Sequence, residues 1–392
     1  MICLGIDVSK DKHDCCILSQ EGELLVKPFS IPNSRQGFDK LFSVASSFEK
    51  NPQNIKAGFE ATGHYSFAIL GYLLEKGFTC FVFNPLHTNL YRKALSLRKT
   101  KTDKVDSKTI ANMLLSSVGI KPYSKALYHN EQLKSLSRYR FSKIRERAVL
   151  KQQLARLVNI LFPELEKLVP TLHLNSVYAL LEQFPGASYI AKAHLTKLTN
   201  LLSSSSKGHY KKDKAIQIRD AAASSIGCIM SAKSLELRHT IVLIRMLSEE
   251  IEEIEAEIKK LMDELHSPIT SIPGIGTTTA SAILSEIGDF SRFDSADKIL
   301  AFAGLSPSTY QSGKLDNAYA HMEKRGSKYL RNALYNAAVS VCMWDKTFAD
   351  YLHKKIAEGK HYYVALSHAI KKLVRLIYAL QTTGQQYVPA VV

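Results

Sequence analysis

Four carboxylates and a serine are the residues of this 392-residue chain whose types and spacing suit catalysis. Asp7 lies at the end of the first apolar run, Ile2 to Val8, and Glu60 directly follows the run Ile55 to Phe59. Asp103 and Asp106 are three residues apart, so on a helix they share one face. Carboxylates converging on one point repel each other and are tolerated where divalent cations neutralise them. Two hard ions held in this way would activate a nucleophile and stabilise the leaving oxygen of a phosphodiester. Any one of these acids alone reads as a strand-end or N-cap residue, Asp103 above all. Four at matching element ends are harder to dismiss. Ser312 precedes Gly313 and Lys314, giving a small hydroxyl in a turn that a phosphate could approach closely. Lys314, Lys324, Arg325, Lys328 and Arg331 would neutralise that phosphate. A bare Ser-Gly is a weak motif, and Ser306, Ser308 and Ser327 meet the same requirement.

The elements needed to position these groups can be read from periodicity. Ile2–Val8, His13–Ser19 and Leu24–Ser30 alternate as strands, the last two joined through Gln20-Glu21-Gly22. A helix over 36–48, a strand over 55–59, a helix over 65–76 and a strand over 78–83 follow. Asn84-Pro85 reads as the end of that strand, and a last helix begins near Asp103. This is the element order of a ribonuclease H-like α/β domain. Residues 131–162 form a long basic helix carrying Arg138, Arg140, Lys143, Arg145 and Arg147, with an apolar seam Leu150, Leu154, Leu157, Leu161. Residues 235–265 place Ile244, Leu247, Ile251, Ile254, Ile258, Leu261 and Leu265 in a 3-4 alternation, a heptad pattern with a glutamate-rich exterior. Basic and acidic helices attract, which favours an antiparallel coiled-coil arm, within one chain or between two. Between them, 171–232 reads as a compact insert whose lysines are available to phosphate, or whose serine tract is a plain flexible loop.

Further on, IPGIG before a helix at 277–287 resembles a helix-hairpin-helix, whose exposed amides at Gly274 and Gly276 would hold a phosphate without reading bases. Helices over 296–303, 327–344, 348–358 and 361–380 complete a mainly helical end, with Trp344 expected as a packing residue. The divisions expected are an α/β domain at 1–125, the arm at 126–266 with its insert, and a helical domain at 267–392.

Net charge is +16 with a pI near 9.4, which points to polyanionic partners. Seven Lys/Arg lie between Arg92 and Lys108, among them Lys93, Arg98, Lys99 and Lys101, around the second acid pair. They would draw a phosphate-rich substrate to that pair. His64 could touch phosphate or carry a proton, although a structural histidine is the commoner case. No apolar run spans a membrane and no signal peptide is expected. Six scattered cysteines without a CxxC pair suit reduced thiols in a cytoplasmic, nucleoid-associated protein rather than disulfides or a zinc site.

Taken together, GIDVSKDKHD, GFEATGHY, FNP with KTDKVDSKTIA, SIPGIGTTTASAI, FAGLSPSTYQSGK and KRGSKYLRNALYNAA resemble the IS110-type transposases, recombinases of bacterial insertion sequences, over nearly the whole chain. Ser107 departs from the pattern, standing where a small apolar residue is expected. The resemblance implies a RuvC-like DEDD domain, with Asp7, Glu60, Asp103 and Asp106 binding Mg²⁺, a coiled-coil arm and a C-terminal transposase domain. It maps the catalytic serine onto Ser312 and implies strand exchange through a covalent phosphoserine. It also implies donor and target DNA, a structured noncoding guide RNA, and a dimer or tetramer. Two rivals remain: a Holliday-junction-type nuclease in which water attacks, and a non-catalytic architectural binder of nucleic acid.

Overall fold

The computed structural model describes residues 1–60, 65–83, 85–95, 103–116, 122–123, 125–307, 311–312, 315–316 and 322–389. It divides into two compact units, residues 1–132 with 288–294, and residues 133–287 with 295–392.

The first unit is built on five strands: β1 (Ile2–Val8), β2 (Lys12–Ser19), β3 (Leu24–Pro32), β4 (Ile55–Glu60) and β5 (Thr79–Phe83). Their spatial order is β3-β2-β1-β4-β5. The first three are antiparallel, and β1, β4 and β5 run parallel. Parallel neighbours need crossovers, which helix α1 (Arg35–Phe48) and helix α2 (Ser66–Glu75) supply. Their apolar stripes, Phe38, Leu41, Ala45 and Ile69, Leu70, Leu73, cover one face against Leu4, Ile6, Ala57 and Phe59. After α3 (Pro85–Leu95), helix α4 (Asp103–Ser116) covers the other face. There Ile110, Ala111 and Leu114 meet Cys3, Cys16, Phe81 and Phe83. Helix α3 is not among the expected elements. Asn84-Pro85 reads as a strand end, yet proline also suits the first position of a helix, where no N–H is needed.

The second unit contains most of α5 (Lys125–Leu161), then α6 (Leu165–Leu168), α7 (Asn175–Gln183), α8 (Ala187–Ala191), α9 (Leu195–Ser205), α10 (Lys212–Ala223) and α11 (Ser231–Leu265). Polar pairs set α5 and α11 antiparallel: Arg140 with Glu255 at 2.6 Å, Lys143 with Glu250 at 2.8 Å, and Gln153 with Glu236 at 3.0 Å. The stripe on α11 is buried from Leu237 to Ile258, but then Met262 is buried and Leu265 exposed. A straight helix drifts relative to a strict seven-residue repeat, and here the drift moves burial one residue along. Leu154, Leu157 and Leu161 pack into the insert rather than along a simple two-helix seam. Together with Leu180, Ile190, Leu198, Ile218, Leu237 and Ile241 they form one core. The serine tract closes α9, so it is a helix end and not an independent loop.

The rest of this unit is α12 (Thr277–Ile287), α13 (Ala296–Phe302), a short pair β6 (Gln311–Ser312) and β7 (Leu315–Asp316), α14 (Lys328–Trp344), α15 (Lys346–Ala357) and α16 (Tyr362–Thr383). On α14, Leu330, Leu334, Ala338 and Val341 are fully buried, the face expected from their spacing. Trp344 is 74% exposed, contrary to the packing role expected of it. Five of the six cysteines are buried and Cys228 is exposed. Among the described residues no helix is long and apolar enough to cross a membrane.

Candidate active site

Strand alternation decides which way the acids point. On β1, Cys3, Gly5 and Asp7 share the face covered by α4, and on β4, Gly58 and Glu60 share it too. Strands β1 and β4 are parallel and in register up to Ile6 opposite Phe59. Asp7 and Glu60 are the next residue on each strand, so they stand side by side at the carboxyl ends. Both are half-buried.

Helix α4 reaches this edge because Gly5 lets it. A Cβ at Gly5 would overlap the Ser107 carbonyl oxygen and the Ala111 backbone nitrogen, and would lie 2.9 Å from the Ala111 Cβ. The helix backbone therefore lies directly on the strand. Ser107 is fully buried in that contact, which explains why a small residue stands there. Asp106 immediately precedes Ser107 in this contact, and Asp103 lies one turn of helix before it. The Asp106 carboxylate accepts from Arg92 Nη1 at 3.0 Å, and Arg92 Nη2 donates to Asn89. Arg92, expected as a phosphate contact, is thus engaged with one of the four acids. The Asp103 side chain lies outside the described residues, as do His64, Arg98, Lys99 and Lys101. Lys93 is exposed on α3.

A fifth carboxylate joins this face. Asp14 pairs with Asp7 across β1 and β2 and is 4% exposed. It accepts from the Ser30 hydroxyl and meets Lys12 Nζ at 3.1 Å. Its alternation with Cys16 on β2 is the sequence signal that would have revealed it. Hard oxygen donors of this kind suit Mg²⁺. Among the described residues, no three acidic, histidine or cysteine side chains are close enough to hold an ion. A complete set would need Asp103, with Asp106 released from Arg92. Burial pushes the thiols on this face, Cys3 and Cys16, above their ordinary value, which disfavours the thiolate.

In the second unit, Ser312 lies on β6, paired with Leu315, and its side chain is outside the described residues. So are Lys314 and Ser308. Ser327, which met the same requirement in the sequence as Ser312, is engaged at the start of α14. Its hydroxyl donates to Glu286 Oε2 at 2.6 Å and accepts the Leu330 N–H as the cap of α14. Glu286 is 6% exposed and also takes a two-pronged contact from Arg138, with Nε at 2.6 Å and Nη2 at 3.0 Å. Sequence spacing gave no sign of this buried acid. Arg147 donates to Ser248 at 3.0 Å, and Arg140 and Lys143 are paired as described. Arg325 is exposed.

The hairpin turn separates its two glycines by role. Gly274 has φ +90°, and a Cβ there would come within 2.8 Å of the Ser340 backbone, so this glycine seats the turn on α14. Gly276 has nothing within 4 Å, and its carbonyl accepts the Ala280 N–H at 2.9 Å at the start of α12. Of the two, Gly276 is the one with open space for a phosphate.

Acids at the carboxyl ends of adjacent parallel strands, in one chain with a basic helical unit, define a nuclease-like class of DNA-processing protein. A transposase family model for the DEDD domain of IS110 type matches residues 4–163, and one for the transposase IS116/IS110/IS902 family matches residues 266–353. The chain belongs to the IS110 family of transposases, and is an enzyme of DNA transposition or recombination. It is 23% identical over 99% of its length to an uncharacterized 44.8 kDa protein of insertion element IS116 from Streptomyces clavuligerus, covering 96% of that protein. It is 25% identical to the pilin gene-inverting protein of Moraxella bovis, over 96% of this chain and 94% of that one. A shorter stretch, 24% of this chain and 28% of the other, is 39% identical to the transposase of element IS1328 from Yersinia enterocolitica. Family membership implies a DNA substrate, and the DEDD domain suggests dependence on a divalent metal.

Proposed function

We propose that this transposase cuts and rejoins DNA through a phosphoserine ester at Ser312, with Asp7, Glu60, Asp103 and Asp106 holding Mg²⁺. The observation that carries this reading is the placement of Asp7 and Glu60 side by side on the face reached by the first turn of α4. A bound divalent ion would polarise the scissile phosphate and offset the charge that develops on it. The Ser312 hydroxyl attacks phosphorus and gives up its proton. The bond from phosphorus to the 3′ oxygen breaks, and that oxygen leaves as a 3′-hydroxyl. A 3′-hydroxyl of another strand then attacks the ester, forms the new phosphodiester and returns the proton to Ser312. One ester replaces another at each step, so no external energy source is required.

The same reading takes α5 and α11 as a coiled-coil arm and divides the chain functionally at about residues 125 and 266. It has a structured noncoding RNA, encoded by the element, pair with donor and target DNA, so that base pairing supplies most of the sequence recognition. The assembly would be a dimer or a tetramer, in the cytoplasm.

The test is an SDS-resistant adduct on a slowed or nicked DNA substrate, with the flanking RNA co-expressed. Wild type forms the adduct, and Ser312→Ala and Asp7→Ala do not, although both still bind DNA. An adduct that persists in Ser312→Ala rules out the serine. Cleavage without any adduct in wild type favours attack by water.

A further inference from the structure

The first-unit acids and Ser312 leave unused a cleft of about 720 Å³ in the second unit, between α5, α12 and α14. Its size is that of a small-molecule site, roughly 300–1,000 Å³. We propose that this cleft binds one unpaired nucleotide of a DNA strand, with the base stacked on Tyr329 and the phosphates held by Arg145, Lys324 and Lys328. The inference rests on the reading of the chain as a DNA-cutting enzyme and adds the form of the DNA that it holds.

Three observations support it. First, the lining interleaves rings and cations. Phe141 and Tyr329 pack edge to face at 5.2 Å, the Arg138 guanidinium lies 4.6 Å from the Tyr329 ring centre, and Lys328 Nζ lies 5.1 Å from it. Second, the charges divide into fixed and available ones. Arg138 is tied to Glu286, the acid in the lining, so it orients the ring from a set position. Arg145, Lys324 and Lys328 are exposed and have no carboxylate partner among the described residues. Arg331 donates to the backbone carbonyls of Ala303 and Lys324, and its charge is likewise unmatched by an acid. Third, Met322 in the wall of the cleft pairs with Pro307. That bridge closes the segment that carries Ser312, so the cleft lies at the base of the serine segment.

The ligand chemistry follows from these. Unpaired cations alone would suit any phosphate backbone, duplex included. Aromatic rings lining a cleft serve a ligand with an exposed π-face, and duplex DNA hides its base faces in its own stack. A single strand offers both phosphate and free base, the combination that aromatic and basic grooves recognise. An exposed lysine over a ring is a weaker contact than a base stacked on that ring. An incoming base therefore displaces Lys328 from the Tyr329 ring, and the freed ammonium turns to the phosphate. The location beside the serine segment favours the DNA strand being cut over RNA.

The test uses the full-length protein in chelator, so that binding is read without cleavage. The probes are a single-stranded DNA oligonucleotide carrying 2-aminopurine, the same strand annealed to its complement, and the same sequence as single-stranded RNA. Wild type quenches 2-aminopurine in the single DNA strand. Tyr329→Ala loses about 5- to 100-fold in affinity for that strand and abolishes the quench, with duplex affinity unchanged. Tyr329→Phe retains both. Should Tyr329→Ala fail to fold, Lys328→Ala at an exposed position carries the test. It lowers single-strand affinity and reduces the slope of log affinity against log salt by about 1. Folded Tyr329→Ala binding the single strand as wild type does overturns the proposal, as do parallel losses on single strand and duplex, or quenching by RNA alone. Failure of wild type to bind any nucleic acid overturns the proposed function as well. Normal duplex binding and a Ser312 adduct, without dependence on Tyr329, overturn only the cleft.

Discussion

Helix α4 meets the sheet of the first unit through bare backbone, whereas α5, α12 and α14 of the second unit meet around charged side chains. At Gly5 the Ser107 carbonyl and Ala111 amide lie where a Cβ would be. At Glu286 a buried carboxylate collects Arg138 and the Ser327 hydroxyl. The first contact seats a helix by close steric fit and leaves its chemistry to the acids at the strand ends. The second uses part of its charge to hold itself together and leaves the remainder facing a cleft. The acid edge thus depends on steric fit, and the cleft on electrostatic satisfaction, and substitutions should separate the two.

The largest effect is expected at Gly5. In Gly5→Ala the new methyl has no room, because the atoms in its way are backbone and cannot rotate aside. Overpacking of this kind typically costs about 1–3 kcal/mol, occasionally more, and a backbone clash belongs at the upper end. Urea denaturation should show the first unit unfolding early and the second keeping its own transition. Gly276→Ala is the control, since nothing lies within 4 Å of it and stability should hold. If Gly5→Ala melts like wild type, α4 is not seated on backbone.

Glu286→Gln tests the other contact and should have a smaller effect. It keeps the shape but removes the charge opposite Arg138 and leaves the amide to face both partners. Losing a charge-assisted hydrogen bond costs about 1.5–3 kcal/mol, and the 42% exposure of the Arg138 side chain places the expectation at the low end. The transition of the second unit should move and that of the first should not. Equal shifts in both would mean that the units do not unfold separately.

The same contrast explains what could be read from the chain alone. Strand alternation and helical spacing are local signals, and they put Asp7, Glu60 and the stripe on α14 where the structure has them. The order of strands and helices along the first unit followed from the same signals, whereas the spatial order β3-β2-β1-β4-β5 comes from the structure. The Glu286 contact was illegible because its partners lie 148 and 41 residues away, and no period links them. The cleft was equally hidden: its cations were visible as a basic run, but which of them are paired depends on packing across α5, α11 and α12. On α11, the burial of Met262 in place of Leu261 and Leu265 reflects helix geometry over many turns, beyond what a heptad count can register. Helix α3 failed for the opposite reason, since one dipeptide carried two readings and the strand reading is the nearer one.

The smallest effect is a pH dependence that distinguishes the two faces of the first sheet. His13 lies on the face away from the acids, stacked on Phe38 at 5.8 Å and fully buried. Burial holds its imidazole below the ordinary value of 6.5, against opposing contributions from Asn33, Lys12 and Asp14. A lowered folded pKa means that the unfolded chain binds the proton first. Stability is therefore fully present above about 6.5 and falls as the pH drops below it, by no more than about 1.4 kcal/mol per pH unit for one group. His173 in the second unit is also held low, by burial and then by Lys151, so both units should weaken in acid. His13→Leu should flatten the acid slope of the first transition alone, read by thermal melts at a series of pH values from about 7 to 5. A slope that survives in His13→Leu would assign the acid sensitivity of the first unit to its carboxylates.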